Sequence, residues 1–358
     1  FTPRVPTLED GGARDFSRAE DWRVNAKLGF TPNATDEYAL SYTHQEGSKS
    51  APLHISDTVT TARFWDWPSW DITSVYFLST TALGDRATLK TRAYYNQFDS
   101  MLRSFNDRTQ TMQSRPYAFD SPYEDKAWGG SAQLDFTATD ADTLRLAFHY
   151  RHDEHVEYQT SFSTAGVATT EPKQTQSEAT YSVALENELA LSPTLRFTLG
   201  GSYDWRNLER AEEYGAPLGT SSTPSVIYNY PRRDADTWNA QGRFDWQASD
   251  ALSLHASLSS RARFPTIFER FSQRFNTAIP NPDLKAERAT NAEIGGSWSQ
   301  GSIRLEGALF YSWVRDAIFS VPTPAYPCTA STTPPAVPTT GCALTNLSQS
   351  RNVGKGEY

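Results

Sequence analysis

Residues 22–30 read WRVNAKLGF. On an extended chain Trp22, Val24, Ala26, Leu28 and Phe30 fall on one face, and Arg23, Asn25 and Lys27 fall on the other. Successive side chains of a strand point to opposite faces, so this alternation predicts a strand with one apolar and one polar side. The pattern recurs along the whole chain. It is present in EYALSYTHQ (37–45), ATLKTRAYYNQ (87–97), WGGSAQLDF (128–136), LRLAFHYR (144–151), LRFTLGGSYDWR (195–206), WNAQGRFDW (238–246) and IRLEGALFYSW (303–313). Glycine pairs inside three of the predicted strands, in WGGSAQ, LGGSYD and IGGSWS, suit a coiled wall.

The connections fall into two classes. Short polar turns lie at 31–36, 84–86, 137–142, 191–194, 248–251 and 299–301. Long Pro-, Ser-, Thr-, Asp- and aromatic-rich connections lie near 1–21, 46–64, 99–125, 158–177, 207–236, 264–288 and 317–350. Short turns at one end and long loops at the other are the asymmetry of an outer-membrane barrel. Structureless loops this long are uncommon in compact soluble domains. The expected fold is therefore all-β, a transmembrane antiparallel β-barrel with its apolar face toward lipid. Trp22, Tyr42, Trp128, Tyr150, Trp205, Trp238, Trp246, Trp298 and Trp313 stand near strand ends, as interfacial girdles require.

Composition agrees. The chain has 358 residues, with 10 Trp, 17 Tyr and 19 Phe. Its mean hydropathy is -0.59. No apolar run reaches the roughly 18 residues of a membrane helix, but barrel strands are apolar only at alternate positions and escape that test. Net charge is -9, without a basic block, which argues against a nucleic-acid partner. The chain opens at Phe1 and stops at Tyr358, and is read as part of something longer. Cys328 and Cys342 sit in a Pro/Thr-rich stretch. They lack CxxC spacing and a neighbouring His pair, so a disulfide stapling one loop is expected rather than zinc.

One stretch breaks the alternation. RARFPTIFERF (261–271) meets the long-loop end of a strand, and NPDLKAERATNAEIG (281–295) follows. Pro265 cannot donate to a ladder, so pairing should end there. Thr266 and Glu269 have the spacing of a capping box for a short helical turn. These residues resemble the TonB-dependent outer-membrane receptors. The family's Arg/Phe-Pro-Thr corner with its following glutamate falls on Arg263, Phe264, Pro265, Thr266 and Glu269. Its NPxLxPE turn falls on Asn281, Pro282, Leu284 and Glu287, with Ala286 where proline is usual. Its E-x-G strand falls on Asn291, Glu293 and Gly295. YSWVRDAI, with Asp316 and Ile318, and NVGKGEY are similar to later family strands.

The resemblance implies a barrel of roughly 22 strands, of which about 12 to 13 would be present here. It implies an N-terminal plug, absent from this chain, and nutrient uptake driven by a TonB complex contacting that missing part. Ferric siderophores are the commonest cargo of such receptors; cobalamin, haem and glycans are others. A Gram-negative outer membrane, lipid contact and a monomer follow from the same resemblance, with no cofactor.

Candidate cargo contacts come from aromatic and Arg residues near the outer rim. ARFWDWPSWD (62–71) reads as a loop whose Arg63, Trp65 and Trp67, with Phe64 and Trp70, suit a flat anionic chelate. Its other reading is an interfacial girdle. Arg92, Arg151, Arg206, Arg263, Arg270 and Arg274 could form an anion-attracting vestibule with Arg63. Individually each is better explained by lumen packing and pairing with a neighbouring carboxylate. In YRHDEHVE (150–157), His152 and His155 point to opposite faces of a strand and cannot share an ion, so no metal site is expected. GxSxG, P-loop and GxGxxG patterns are missing, so an enzyme is not expected. A passive porin is the alternative transporter reading, but it would lack the two motif turns.

Overall fold

The computed structural model describes residues 16–53, 62–114, 118–215, 225–272, 278–325 and 345–357. The first strands are β1 (Ala19–Phe30), β2 (Glu37–Ser50), β3 (Trp65–Ala82), β4 (Ala87–Ser104), β5 (Phe119–Thr139) and β6 (Asp142–Glu157). Then come β7 (Thr160–Phe162), β8 (Ala168–Thr170), β9 (Gln174–Ser192), β10 (Leu195–Gly215), β11 (Val226–Asn229), β12 (Ala235–Ser249) and β13 (Leu252–Arg263). A short helix α1 (Ile267–Phe271) precedes β14 (Ala278–Ile279), β15 (Glu287–Gln300), β16 (Ile303–Arg315), β17 (Ile318–Ala325), β18 (Thr345–Asn352) and β19 (Lys355–Glu357).

One antiparallel wall runs in the order β1-β2-β3-β4-β5-β6-β9-β10-β12-β13-β15-β16-β19. That is thirteen strands among the described residues, each beside its sequence neighbour once the loop hairpins are set aside. Strands β7, β8 and β11 extend this sheet in the loops, and β14, β17 and β18 form a separate small sheet. Strands β2 to β15 of the wall are paired on both sides, as a structure in lipid demands, while β1 and most of β16 have one edge without a partner strand among the described residues.

Register fixes the faces. Val24 pairs with His44, Leu28 with Leu40 and Phe30 with Tyr38. The outward face carries Leu146, Phe148, Val183, Leu185, Leu199, Leu258, Ile294, Leu305 and Leu309, all exposed; Leu309 is 74% exposed. Exposed leucine in a continuous band is the inverse of a soluble sandwich and the expected surface of a barrel in lipid. The inward face is polar and cross-linked. Lys90 Nζ donates to Asp135 at 2.8 Å. Arg145 reaches Glu186 and Glu188 at 2.9 Å each. Tyr76 donates to Asn96 at 2.9 Å.

The strand glycines have a steric reason in two of the three pairs. A Cβ on Gly129 would strike the Tyr150 carbonyl, and one on Gly130 would lie 2.5 Å from the Arg92 carbonyl. A Cβ on Gly296 would lie 2.7 Å from the Ser253 carbonyl. At 200–201 the space is looser, with nothing nearer than 3.2 Å.

The strands run further outward than the alternation indicates. The β4–β5 ladder continues to Ser104 opposite Phe119, so the expected 99–125 connection shrinks to 105–118. The β9–β10 ladder continues to Ala211 opposite Gln176, past a bulge at Leu208/Arg210. Above the aromatic girdle the outward face meets water rather than lipid, so the apolar half of the pattern fades while the pairing continues. The 158–177 connection holds the β7–β8 hairpin, and the 317–350 connection holds the paired β17 and β18. ARFWDWPSWD is likewise not a loop: from Trp65 onward it is the outer end of β3, with a bulge between Asp66 and Ser69 accommodating Pro68.

Helix α1 folds over the inner upper face of β10. Its Phe271 stacks on Tyr230 at 5.3 Å and joins Leu208 and Ala211 in a small buried cluster.

Candidate functional site

A cavity of about 1330 Å³ opens at the long-loop end of the lumen. Its lining comes from β3, β4, β5, β6, β9, β10 and α1, so the sheet curves enough to bring non-adjacent strands together. One wall is aromatic: Trp70 and Phe98 meet edge to face at 4.8 Å. The Lys49 ammonium lies over Trp70 at 3.2 Å and over Trp67 at 5.2 Å from the ring centres. Alternation within β3 turns Trp70 inward, and the β2–β3 pairing of Lys49 with Trp67 delivers the ammonium to the ring.

The opposite wall is charged, and its cations are paired. Arg151 binds Asp153 through Nε and Nη2, at 2.6 to 2.9 Å. Lys126 lies 3.8 Å from Glu154. His155, opposite Asp125 in the β5–β6 register, is bonded to it at 2.5 Å and lies 3.8 Å from Glu157. It stands above the Trp128–Tyr150 girdle. Burial works against charge on this imidazole, yet the two carboxylates outweigh it and raise its pKa to about 9. His152 faces the other way, stacked on Trp128 at 3.9 Å and bonded to Glu209 at 2.9 Å.

Behind this wall lie Arg206 and Arg270, expected as cargo contacts. The structure corrects that reading. Arg206 is 2% and Arg270 0% exposed, and both lie against the single carboxylate of Glu178. Arg206 also donates to the Pro265 carbonyl at 3.0 Å and lies over Phe264 at 5.2 Å. Burial lowers the pKa of Arg270, opposed by Glu178. These guanidiniums tie α1 to the wall. Of the other Arg residues expected around the mouth, Arg151 is held by Asp153, and Arg263 by Glu269 and Glu287. Arg63 is exposed just before β3, and Arg92 is exposed to the lumen deeper down, over Tyr94 at 5.2 Å. Arg274, Cys328 and Cys342 lie outside the described residues.

The motif corner is a knot of the same kind. Thr266 caps α1, accepting from the Glu269 amide at 3.1 Å, while Glu269 accepts from the Thr266 amide at 2.8 Å. Arg263 grips both oxygens of Glu269 at 2.8 and 3.1 Å and reaches Glu287 at 2.8 Å. Glu287 in turn accepts from the Ile318 amide at 3.0 Å. Asn281 and Pro282 open a turn closed by Leu284, whose side chain is buried. Asn281 donates to the Ser350 carbonyl at 2.8 Å, and Asn352 bridges Lys285 and Asp316. In the E-x-G strand Glu293 meets His255 at 2.9 Å, and a Cβ on Gly295 would lie 2.6 Å from that imidazole.

Asn291, two places before Glu293, accepts from Ser312 at 2.6 Å. Sequence reading missed Lys49, Asp125 and Glu178 as parts of the site. Alternation gives a residue's face, but their partners depend on register across strands and bulges.

Comparison with known proteins now decides the family. The family model described as "TonB dependent receptor-like, beta-barrel" matches residues 6–358. The chain belongs to the TonB-dependent receptors. That family comprises outer-membrane receptors and transporters rather than enzymes. Among solved structures the receptor is similar to the copper transporter OprC, at 16% identity and TM-score 0.73, covering 95% of this chain and 49% of that one. It is similar to the FrpB iron transporter from Neisseria meningitidis, at 17% identity and TM-score 0.65, covering 98% and 49%. It is similar to the ferric yersiniabactin uptake receptor FyuA from Yersinia pestis, at 11% identity and TM-score 0.63, covering 87% and 48%. At these identities the likeness establishes the fold. The receptor chain spans about half the length of these structures. No curated protein sequence matches it.

Proposed function

We propose that this protein is an outer-membrane receptor that takes up a ferric siderophore with energy delivered through a TonB complex. The observation carrying the proposal is the cavity at the outer mouth of the lumen. At about 1330 Å³ it exceeds the roughly 300–1,000 Å³ of ordinary small-molecule pockets. Its Trp70, Phe98, Tyr123 and Phe268 provide flat surfaces for a chelate's organic shell. Arg63, Trp65 and Trp67 are proposed as rim contacts, Arg151 as a polar contact inside the mouth and Arg92 as one deeper in the lumen. The motif residues are proposed to shape the outer loops. The barrel is proposed to act as a monomer within outer-membrane lipid.

Titration of the full-length protein in detergent tests this, following Trp fluorescence against ferric siderophores, haem and cobalamin. Saturable quenching by a ferric chelate, weakened in Trp70→Ala, is expected. A response to haem or cobalamin alone would reassign the cargo and leave the family untouched.

A further inference from the structure

We infer that the outward face of β12 to β19 holds a phosphorylated lipid of the outer leaflet, with its phosphate on Arg288, Arg315 and Lys355 and an acyl chain in the groove below them. Cargo does not enter; the site rests on the lipid-facing wall alone.

Register brings the three cations together. Arg288 on β15 stands opposite Arg315 on β16, and Arg315 opposite Lys355 on β19. Neighbouring strands are about 4.8 Å apart, so the row spans roughly 10 Å. Alternation puts Arg288 on the face of Ile294 and Arg315 on the face of Leu309, which is the outward one. Trp313, on the same face, lies two residues below Arg315, roughly 7 Å along the strand. The row therefore stands just above an interfacial tryptophan, at the depth of lipid headgroups.

These cations are not spoken for. None of the three makes an ion pair among the described residues. Arg288 is held by neutral groups: it lies over Trp238 at 4.3 Å and donates to the Trp238 carbonyl and the Ser260 hydroxyl. Arg315 and Lys355 are exposed. Glu357, two places from Lys355, accepts from the Tyr311 hydroxyl at 2.7 Å. Elsewhere at this end of the wall cations have carboxylate partners: Arg18 has Glu20, Lys126 has Glu154, Lys173 has Glu124 and Arg210 has Glu212. The nearby segments 216–224, 273–277 and 326–344 contain no Asp or Glu. Guanidinium groups suit phosphate oxygens, and clustered basic residues beside a bilayer recognise anionic headgroups.

A groove of about 540 Å³ lies below the row on the same face. Gly242, Ala256 and Ala292 form its floor, and Phe244, Leu258 and Leu309 rise around them. Ala292 lies four residues below Arg288, roughly 13 Å along the strand. Positive charge at headgroup depth over an apolar groove in the wall matches one amphiphile, a phosphate with an acyl chain beneath it.

The test is native mass spectrometry of the full-length protein in detergent, titrated with diphosphoryl lipid A, monophosphoryl lipid A and phosphatidylcholine. Diphosphoryl lipid A is expected to bind tightest and phosphatidylcholine weakest, with added salt narrowing the gap. Arg315→Gln with Lys355→Gln should weaken lipid A binding about tenfold or more, the loss expected for two cations near an anionic headgroup. Gly242→Leu should weaken it several-fold by filling the groove; a Cβ there meets nothing nearer than 3.9 Å. Equal binding of the three lipids, or lipid A binding undiminished in the double variant, would overturn the inference. So would a lipid-free dimer, because a second copy would then cover the groove. Cargo titration should be unchanged in every variant, which separates this site from the uptake proposal. The three-lipid comparison on the wild-type protein decides the matter even if a variant fails to fold.

Discussion

Glu178 is the residue on which the upper wall depends most. Two buried guanidiniums, Arg206 and Arg270, share its carboxylate, itself 12% exposed. Removing one partner of a buried ionic cluster costs about 3–5 kcal/mol, because the remaining charge is stranded. Glu178→Ala should therefore release α1, raising amide exchange across 264–272 while the lower barrel stays protected. Replacing all three with Met removes every charge and should recover most of the protection. Unchanged exchange in Glu178→Ala alone would show that the carboxylate is not the tie. Gly295 poses a steric version of the same question. Its added Cβ would lie 2.6 Å from His255, with Ala308 at 3.0 Å on the other side. Gly295→Ala should destabilise by about 1–3 kcal/mol through overpacking, read from urea unfolding in detergent. His255→Ala should relieve most of that loss in the double variant; a double variant as unstable as the single would place the clash elsewhere.

Helix α1 is short, and its capping box holds its first turn. Thr266→Ala should cost about 1 kcal/mol, the usual value of an N-cap, seen as faster proteolysis of the corner. The box is also sensitive to acid. Arg263 is the main cause holding the Glu269 carboxyl below its ordinary value of 4.5, against a smaller opposing effect of burial. A depressed folded pKa gives stability that is present above the unfolded value and lost as pH falls through the folded one. Pepsin cleavage at the corner should thus accelerate as pH drops below about 4.5, with Glu269→Gln already open at pH 4.5 and nearly flat below it. Parallel pH curves for the two proteins would refute this. The corner was legible before the structure, because Pro265, Thr266 and Glu269 act on neighbours a few residues away. The outer end of β3 was not. Pro68 and the clustered tryptophans of WDWPSWD read as a loop, and only a bulge between Asp66 and Ser69 keeps them in the ladder. Lys49 was invisible as a site residue for a related reason: its partners depend on the register across the irregular β2–β3 pairing. Period two survives in a sequence wherever one face meets lipid. It is lost where both faces are wet, and there the loop boundaries were misplaced.

At the scale of the whole molecule, stability is built inside out. The buried apolar cluster under α1 is small, and the large aliphatic side chains stand outside, unpacked by protein. In water such a surface would drive aggregation; in a bilayer it is solvated and contributes to folding. The consequence can be tested at Leu185. It lies outward, opposite Leu146 on β6 and Gly201 on β10, near the middle of the apolar band, and is 55% exposed. An arginine at the bilayer midplane of a barrel wall costs about 2–4 kcal/mol, falling toward zero at the interfaces. Leu185→Arg in the full-length protein should lose that amount in urea unfolding from lipid vesicles. Leu185→Phe should be close to neutral, because lipid tails accommodate a larger apolar group where a packed core would not. Arginine nearer the girdle, at Tyr181 on the same face, should cost less than at Leu185. The depth dependence is the informative part. A soluble sheet covered by another protein layer would penalise both Leu185→Arg and Leu185→Phe, through desolvation in one case and overpacking in the other. Tolerance of the phenylalanine with a graded penalty for arginine is the response of a face whose solvent is lipid.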